Sequence, residues 1–198
     1  MIIGLTGGIG SGKTTVAKFF SEYKNVAIYI ADIEAKSLMN SSEIIKKKLI
    51  NEFGENSYSD QKLNRKYISD IVFNNTEKLA VLNSIVHPEV KNHFKKFIEK
   101  NLDKTYIIYE NAILFESKSN LFCDYIISVY ANLSTRIDRV TVRDTSTKEE
   151  VFLRIQNQWN EDKKLLQSNY IVSNEDLAET ENQVHTIHNI LTEKLKYL

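Results

Sequence analysis

A glycine, four further residues and then Gly-Lys-Thr occupy residues 7–14 of this 198-residue chain. This spacing is that of a phosphate-binding loop. Glycines let backbone N–H groups turn toward a phosphate, the ammonium of Lys13 reaches the outer phosphates, and the Thr14 hydroxyl can bind Mg²⁺. A glycine-rich turn without a ligand is the alternative, because so short a pattern also arises by chance.

The residues on either side of this loop favour the phosphate-binding interpretation. Residues 2–6 form a short apolar run that predicts a buried strand, and Val16, Phe19, Phe20 and Tyr23 recur at helical spacing. Strand, loop and helix therefore follow one another in the required order. We predict that the chain binds a nucleoside triphosphate.

Two acidic residues end predicted strands. Asp32 follows the run at residues 26–31, and Glu110 closes the run at residues 106–110. Ligands of open α/β sheets bind outside the carboxyl ends of the strands, so we expect Asp32 to face the crevice of the phosphate-binding loop. There it can accept the proton of an acceptor hydroxyl. Its alternative is a helix cap. Glu110 can hold a Mg²⁺-bound water, with a plain surface carboxylate as the alternative.

Arginine is unevenly distributed in this chain. Of 26 basic residues only five are arginines, and they are Arg65, Arg136, Arg139, Arg143 and Arg154. Four of the five lie in one segment, whereas lysine supplies most of the positive charge in the rest of the chain. We therefore expect this segment to use the planar guanidinium, whose donors match the oxygens of a phosphate group. Spacings of three and four place Arg136, Arg139 and Arg143 on one helix face, with Leu133, Ile137 and Val140 on another. The segment predicts a phosphate clamp on a mobile helical lid with a turn and N-cap at residues 144–146 and a second helix through Trp159. A solvated basic helix is the alternative.

The remaining pattern predicts a sheet interrupted by a helical insertion. Strand signals return at residues 125–130 and 170–172, which brings the count to five, whereas residues 43–102 show only helical spacing. Such a long crossover predicts a subdomain over the crevice. Within it, Pro88 fits the first position of a helix that follows His87.

Bulk composition narrows the class of protein. A hydrophobic fraction of 42% over 198 residues suits one compact domain, and 26 acidic against 26 basic residues argue against nucleic acid or an anionic membrane as partner. The chain shows no apolar run that could cross a bilayer and no signal segment after Met1, so we expect a cytoplasmic protein. The single Cys123 predicts neither an internal disulfide nor a zinc site, and we interpret it as a small core residue.

These residues resemble the dephospho-coenzyme A kinases over nearly the whole chain. The matching stretches are residues 4–15, 31–32, 53–54, 63–65, 87–88 and 113–116, then Arg139 with Arg143, Gln158, and residues 170–174. The chain departs from the family where Ile30 replaces the first aspartate of an Asp-Ala-Asp motif, which leaves Asp32 without a paired carboxylate. Ala112 replaces a usual proline, and Ser168-Asn169 replace Ala-Asp.

The resemblance implies an α/β fold like that of nucleoside monophosphate kinases, with a five-stranded parallel core, a helical substrate-binding insertion and a helical lid. The P-loop core would comprise residues 1–36, 104–131 and 167–198, the substrate domain residues 37–103, and the lid residues 132–166. The implied reaction transfers the γ-phosphoryl group of ATP, with Mg²⁺, to the ribose 3′-hydroxyl of dephospho-coenzyme A.

Site residues follow from the loop, the strand ends, the arginine segment and the resemblance together. The predicted catalytic residues are Asp32, Lys13, Arg139 and Arg143, and those for Mg²⁺ are Thr14 and Glu110. The predicted nucleotide-binding residues are Gly8, Ile9, Gly10, Ser11, Gly12, Lys13, Thr14, Thr15 and Asn174. The predicted substrate-binding residues are Asp32, Arg65, His87 and Leu114.

Two other functions fit parts of the sequence. A kinase of another small hydroxyl or nucleotide would share the loop, the lid and the Mg²⁺. A nucleotide-operated regulatory protein would need only the loop, since binding does not require transfer. A guanine-nucleotide switch would also need an Asn-Lys-x-Asp loop, which the sequence lacks. The expected partner is a small molecule, and the sequence does not indicate an oligomeric state.

Overall fold

The computed structural model describes residues 1–73 and 75–195. The chain forms two compact units, one made of Met1–Tyr29 with Asn101–Leu198 and the other of Ile30–Lys100. The second unit thus begins at residue 30, where the sequence predicted residue 37, and residues 132–166 group with the first unit. The three-part division stays a prediction. Among the described residues, no helix has the length and apolar character needed to span a bilayer.

The first unit contains the predicted five-stranded sheet. Its strands are β1 (Ile2–Gly7), β2 (Val26–Ile30), β5 (Tyr106–Glu110), β6 (Tyr125–Tyr130) and β7 (Tyr170–Ser173), and a hairpin in the second unit supplies β3 (Tyr58–Ser59) and β4 (Lys62–Leu63). The strand order is β2-β5-β1-β6-β7, with β1 parallel to both neighbours. The loop after β1 therefore leaves the middle of the carboxyl edge of the sheet. The prediction of a parallel α/β sheet is confirmed.

Helices cover the strands and complete the core. The bounds in the first unit are α1 (Lys13–Ser21), α6 (Leu133–Asp144), α7 (Lys148–Gln156), α8 (Glu161–Leu166) and α9 (Leu177–Lys194), and those in the second are α2 (Ala31–Ser41), α3 (Glu43–Phe53), α4 (Arg65–Val72) and α5 (Thr76–Lys100). Ile3 and Leu5 of β1 are fully buried with Phe20 of α1 and Leu191 of α9. Burial of these side chains fixes α1, and with it the end of the loop.

The second unit is helical, as predicted, but one helix is longer than the sequence indicated. Helix α5 runs unbroken through Pro88, so the prediction of a helix start at this proline is wrong. Proline removes one backbone hydrogen bond from a helix interior. Val86, Val90 and Phe94 are buried at spacings of four on either side of it, and α5 contacts α2, α3 and α4. This burial offsets the lost bond.

Three local features differ from the sequence-based prediction. Helix α2 begins at Ala31, which shortens the predicted second strand by one residue. The N-cap of α7 is Thr147, whose side chain forms a capping box with Glu150, and α7 ends at Gln156 before reaching Trp159. The two-residue strands β3 and β4 were not predicted, because two residues are too few to show an alternating pattern.

Candidate active site

The loop between β1 and α1 is folded around the lysine of its motif. Lys13, the first residue of α1, is 9% exposed, and its Nζ donates to the carbonyl oxygens of Gly7 at 3.1 Å and Gly8 at 3.2 Å. Thr14 and Thr15 continue the first helical turn, with Thr14 exposed. The positive end of the helix dipole lies at these residues and favours an anion there.

Asn174, which follows β7, supports the loop from within the protein. Its side chain is 2% exposed, its Nδ2 donates to the carbonyl of Ser11 at 2.8 Å, and its Oδ1 accepts from the Thr180 hydroxyl at 3.1 Å. A Cβ on Gly12 would overlap the Asn174 amide, and Gly12 has a φ of 90°, so this position requires glycine. Asn174 thus holds the backbone of the loop, and direct contact with a nucleotide stays a prediction.

Arg136 of α6 packs on the same loop and is the main correction to the predicted lid helix. The side chain is buried, its Nε donates to the carbonyl of Ile9 at 2.9 Å, and its guanidinium lies against Gly8 and pairs with Glu161. Burial lowers the pKa of Arg136. The alternative of a solvated basic helix is therefore wrong for Arg136, which α6 buries.

The apolar side of α6 was also assigned incorrectly in part. Val140, one turn after Arg136, is fully buried as predicted, whereas Leu133 is 48% exposed. A buried arginine is stable here because a loop carbonyl and a carboxylate satisfy its donors. Helical spacing alone does not reveal such partners.

Arg139 lies beside the loop and makes fewer hydrogen bonds than its guanidinium group could donate. Its Nη2 donates to the carbonyl of Asn174 at 3.0 Å. Its Nη1 is buried without a hydrogen-bond partner in the part of the chain that the structure describes, and it lies 3.8 Å from the position a Cβ of Gly12 would take. A buried guanidinium N–H without an acceptor is costly unless an anion binds it. The donors at this loop therefore fit the phosphate groups that the sequence predicts.

Arg143 lies at the end of α6 and is paired with a carboxylate. Its Nε and Nη2 donate to Asp144 Oδ1 and Oδ2 at 2.7 and 3.0 Å, and Arg154 Nη1 donates to Oδ2 at 2.6 Å. The two guanidinium groups hold the pKa of Asp144 well below its usual range. The side chain of Arg143 is 61% exposed, so a phosphate contact from it stays a prediction.

The two predicted carboxylates have different surroundings. Glu110 ends β5, pairs in register with Leu5 of β1, and is 6% exposed, so its interpretation as a surface carboxylate is wrong. Asp32 is exposed and is the second residue of α2. Since Ile30 occupies the N-cap, the helix-cap interpretation of Asp32 is also wrong.

The oxygen donors of the predicted Mg²⁺ site are few. Among the described residues, no group of three or more His, Cys, Asp or Glu side chains could hold a metal ion. Mg²⁺ commonly binds through one or two protein oxygens together with substrate phosphates and waters. A threonine hydroxyl and a carboxylate, Thr14 and Glu110, are ligands of that hard-oxygen type.

A buried polar network next to the loop was missed by the sequence analysis. Lys164 of α8 is 1% exposed, and its Nζ donates to Glu116 Oε1 at 2.9 Å and to the Ala112 carbonyl at 3.1 Å. The same Oε1 accepts from Trp159 N–H at 2.8 Å. Gln158 Oε1 accepts from the N–H of Ile9 at 2.8 Å. Burial lowers the pKa of Lys164 while Glu116 opposes that shift. Nothing in the sequence separates Lys164 from the other lysines.

The predicted substrate-binding residues do not share one environment. Arg65, the first residue of α4, and His87, within α5, are exposed residues of the second unit. Desolvation by neighbouring protein atoms lowers the pKa of His87. Leu114 is fully buried in the first unit, where a Cβ on Gly4 would lie 2.8 Å from it, so its side chain packs the core.

Cys123 is half-buried against the same glycine, and burial raises the pKa of its thiol to about 12.

Comparisons with known proteins place this loop and its surroundings in context. A family model described as dephospho-CoA kinase matches residues 1–179. A dephospho-CoA kinase of Fusobacterium nucleatum is 38% identical over 176 residues, covering 88% of this chain and 89% of that protein. One of Bacteroides fragilis is 33% identical over 196 residues, covering 99% of this chain and 95% of that protein.

Structural comparison gives the same extent of similarity. The crystal structure of a Thermus thermophilus protein matches with a TM-score of 0.83 and 28% sequence identity, covering 98% of this chain and 97% of that one. Sequence and structure are thus similar across the loop, the helical insertion and helices α6 to α8.

Proposed function

Because the chain belongs to the dephospho-CoA kinase family, we propose that it transfers the γ-phosphoryl group of ATP to the ribose 3′-hydroxyl of dephospho-CoA. The product is coenzyme A, and the reaction is the last step of its synthesis. The observation that carries this proposal is the family match over residues 1–179, a range that includes every predicted site residue.

The phosphate-binding loop supplies the groups that would hold ATP. Lys13 would exchange its hydrogen bonds to the Gly7 and Gly8 carbonyls for bonds to phosphate oxygens. Arg139 would offer its Nη1, for which the described residues supply no acceptor. Backbone N–H groups of the loop other than those of Ile9, Ser11 and Thr15, which donate within the protein, would complete the cradle. Charge developing on the transferred group is the quantity these donors stabilise.

Thr14 and Glu110 are the residues we propose for Mg²⁺. When bound, the ion neutralises phosphate charge and orients the phosphates for in-line transfer. The Glu110 carboxylate is buried at the end of β5, beside β1, the strand that leads into the loop. A buried carboxylate in that position is suited to accept a hydrogen bond from a water molecule bound to Mg²⁺.

Asp32 is the residue we propose as general base. It follows β2 by two positions and is exposed, so its carboxylate is accessible to an acceptor hydroxyl. Arg65 and His87, on the helical insertion, are proposed to bind dephospho-CoA. Since ATP and coenzyme A precursors are small cytoplasmic metabolites, we place the enzyme in the cytoplasm.

A coupled assay of ADP release against a panel of acceptors tests the proposal. We expect dephospho-CoA to give a higher kcat/KM than adenosine monophosphate, shikimate, gluconate or uridine. The Lys13→Ala variant, purified in the same way, is the control for a contaminating kinase and should show no turnover. A higher kcat/KM for another acceptor would overturn the substrate assignment and leave a phosphate-loop kinase.

A further inference from the structure

Both backbone polar groups of Ile9, in the phosphate-binding loop, form hydrogen bonds with side chains. Its N–H donates to Gln158 Oε1 at 2.8 Å, and its carbonyl accepts from Arg136 Nε at 2.9 Å. Gly8 and Gly10 flank it. Because glycines allow many backbone conformations, these two side chains select the orientation of the peptide groups on either side of Ile9.

Both side chains are themselves anchored. Arg136 is 5% exposed and pairs with Glu161 at the start of α8. Gln158 is half-buried, its Nε2 lies 3.5 Å from the Ala112 carbonyl, and the next residue, Trp159, donates its N–H to Glu116. The Trp159 ring also stacks on Phe115 at 5.6 Å between centroids. The orientation of Ile9 therefore depends on α6 and on the segment from Gln158 to Glu161.

The partners of Arg136 and Arg139 distinguish a residue that fixes the loop from one that can bind phosphate. Arg136 faces Glu161, so its charge is already compensated within the protein. Arg139, one turn away, has an Nη1 beside Gly12 that finds no acceptor among residues 1–73 and 75–195. Arg136 is therefore suited to fix the loop, whereas Arg139 is suited to receive an anion.

We propose that Gln158 and Arg136 are positioning residues for the phosphoryl transfer, which act by fixing the backbone of Ile9. This inference rests on the proposed kinase function. A loop whose Ile9 peptide groups can rotate still binds ATP through Lys13 and the remaining N–H groups, but it spends less time in the geometry that transfer requires.

Substitutions at Gln158 test the proposal most directly. Gln158→Met keeps the length of the side chain and removes the acceptor, whereas Gln158→Glu keeps an acceptor oxygen. Gln156→Met is the matched control, because Gln156 is exposed and lies two residues earlier. We expect Gln158→Met to lower kcat about tenfold, the effect of one lost orienting hydrogen bond, with KM for dephospho-CoA unchanged. Gln158→Glu should recover most of the rate.

Arg136→Lys gives an independent test that avoids a buried, unpaired Glu161. It keeps the positive charge and removes the Nε donor. We expect a similar fall in kcat, and the double variant with Gln158→Met should lose less than the product of the two single effects, because both act on Ile9. A urea-unfolding midpoint within the range of the Gln156→Met control shows that the variants are folded.

Several results would overturn the inference. A wild-type kcat in Gln158→Met, equal effects of Gln158→Met and Gln156→Met, or fully multiplicative losses in the double variant would each do so. A tighter ATP affinity in Gln158→Met, measured with a fluorescent ATP analogue, would show that Gln158 competes with the nucleotide for the Ile9 N–H. If wild type does not phosphorylate dephospho-CoA, the proposed function fails. The role of Gln158 and Arg136 is then tested with the acceptor that the panel identifies.

Discussion

At the scale of single residues, the proposed general base Asp32 is exposed, whereas the proposed metal ligand Glu110 is buried. Glu110 is 6% exposed at the end of β5, which suits a fixed metal ligand. Asp32 is exposed in the first turn of α2. An ionised, accessible carboxylate is what a general base for a ribose hydroxyl requires.

Asp32→Asn is expected to lower turnover by about 10² to 10⁴ while ATP binding stays close to that of wild type, because the amide keeps the shape and loses the basicity. Steady-state ADP release and a direct ATP titration measure the two quantities. If Asp32 chiefly organises Mg²⁺, the variant should need more Mg²⁺ and excess metal should restore part of the rate. Near wild-type turnover at ordinary Mg²⁺ would contradict both roles and make Glu110 the next candidate base.

At the scale of elements, α6 shows how one helix gives three arginines three different partners. Arg136 binds the Ile9 carbonyl, Arg139 binds the Asn174 carbonyl, and Arg143 binds Asp144. Spacings of three and four place residues near one face, but an angular offset of tens of degrees decides whether a side chain meets the loop or solvent. Helical spacing alone therefore could not predict the contact that each arginine makes.

Arg139→Lys and Arg143→Lys are each expected to slow transfer although the charge is kept, because lysine cannot hold two oxygens in one plane. We expect the larger loss at Arg139, since its Nη1 already lies beside Gly12 and Arg143 is 61% exposed. Arginines that stabilise transferring phosphate contribute roughly 10³ to 10⁵ in rate, so even a partial loss is measurable. Single-turnover rates at saturating ATP decide it. Wild-type rates in both variants would show that neither guanidinium binds the transferred phosphate.

The elements that the sequence predicted well are those whose signal is local. Strands β1, β5 and β6 are apolar runs buried in the sheet, and the loop motif lies between its predicted strand and helix. Whether α5 continues through Pro88 depends instead on the burial of Val86 and Val90 against other helices. Tertiary packing of this kind overrides a local preference and cannot be inferred from the helix alone.

Site residues divide in the same way. Lys13 and Gly12 were predictable because the motif itself demands them. Burial of Lys164 was not, because it depends on Glu116 and on the Ala112 carbonyl, which are 48 and 52 residues away in the chain. A lysine is rarely buried unless such partners are present.

At the scale of the whole molecule, each of the two compact units contains a histidine whose protonation is coupled to folding. His188 of α9 is 8% exposed, its Nδ1 lies 2.6 Å from the Tyr106 hydroxyl of β5, and its ring stacks on Tyr23, just after α1, at 3.7 Å between centroids. Desolvation, with a smaller effect of His185, lowers its pKa. Desolvation also lowers the pKa of His87 in the second unit. In each unit, desolvation thus opposes the protonation of one histidine.

Acidification is therefore expected to destabilise the folded chain. A histidine whose folded pKa is depressed binds fewer protons in the folded state, so its contribution to stability is present above the unfolded value of about 6.5 and is lost as the pH falls below it. Urea-unfolding midpoints at about pH 7.5, 6.5 and 5.5 measure this loss in the range where histidine titrates. His188→Gln and His87→Gln should each flatten the decline, whereas His185→Gln, at an exposed position three residues before His188, should change the slope much less. Equal slopes in wild type and in the His188 and His87 variants would show that neither ring carries the pH dependence.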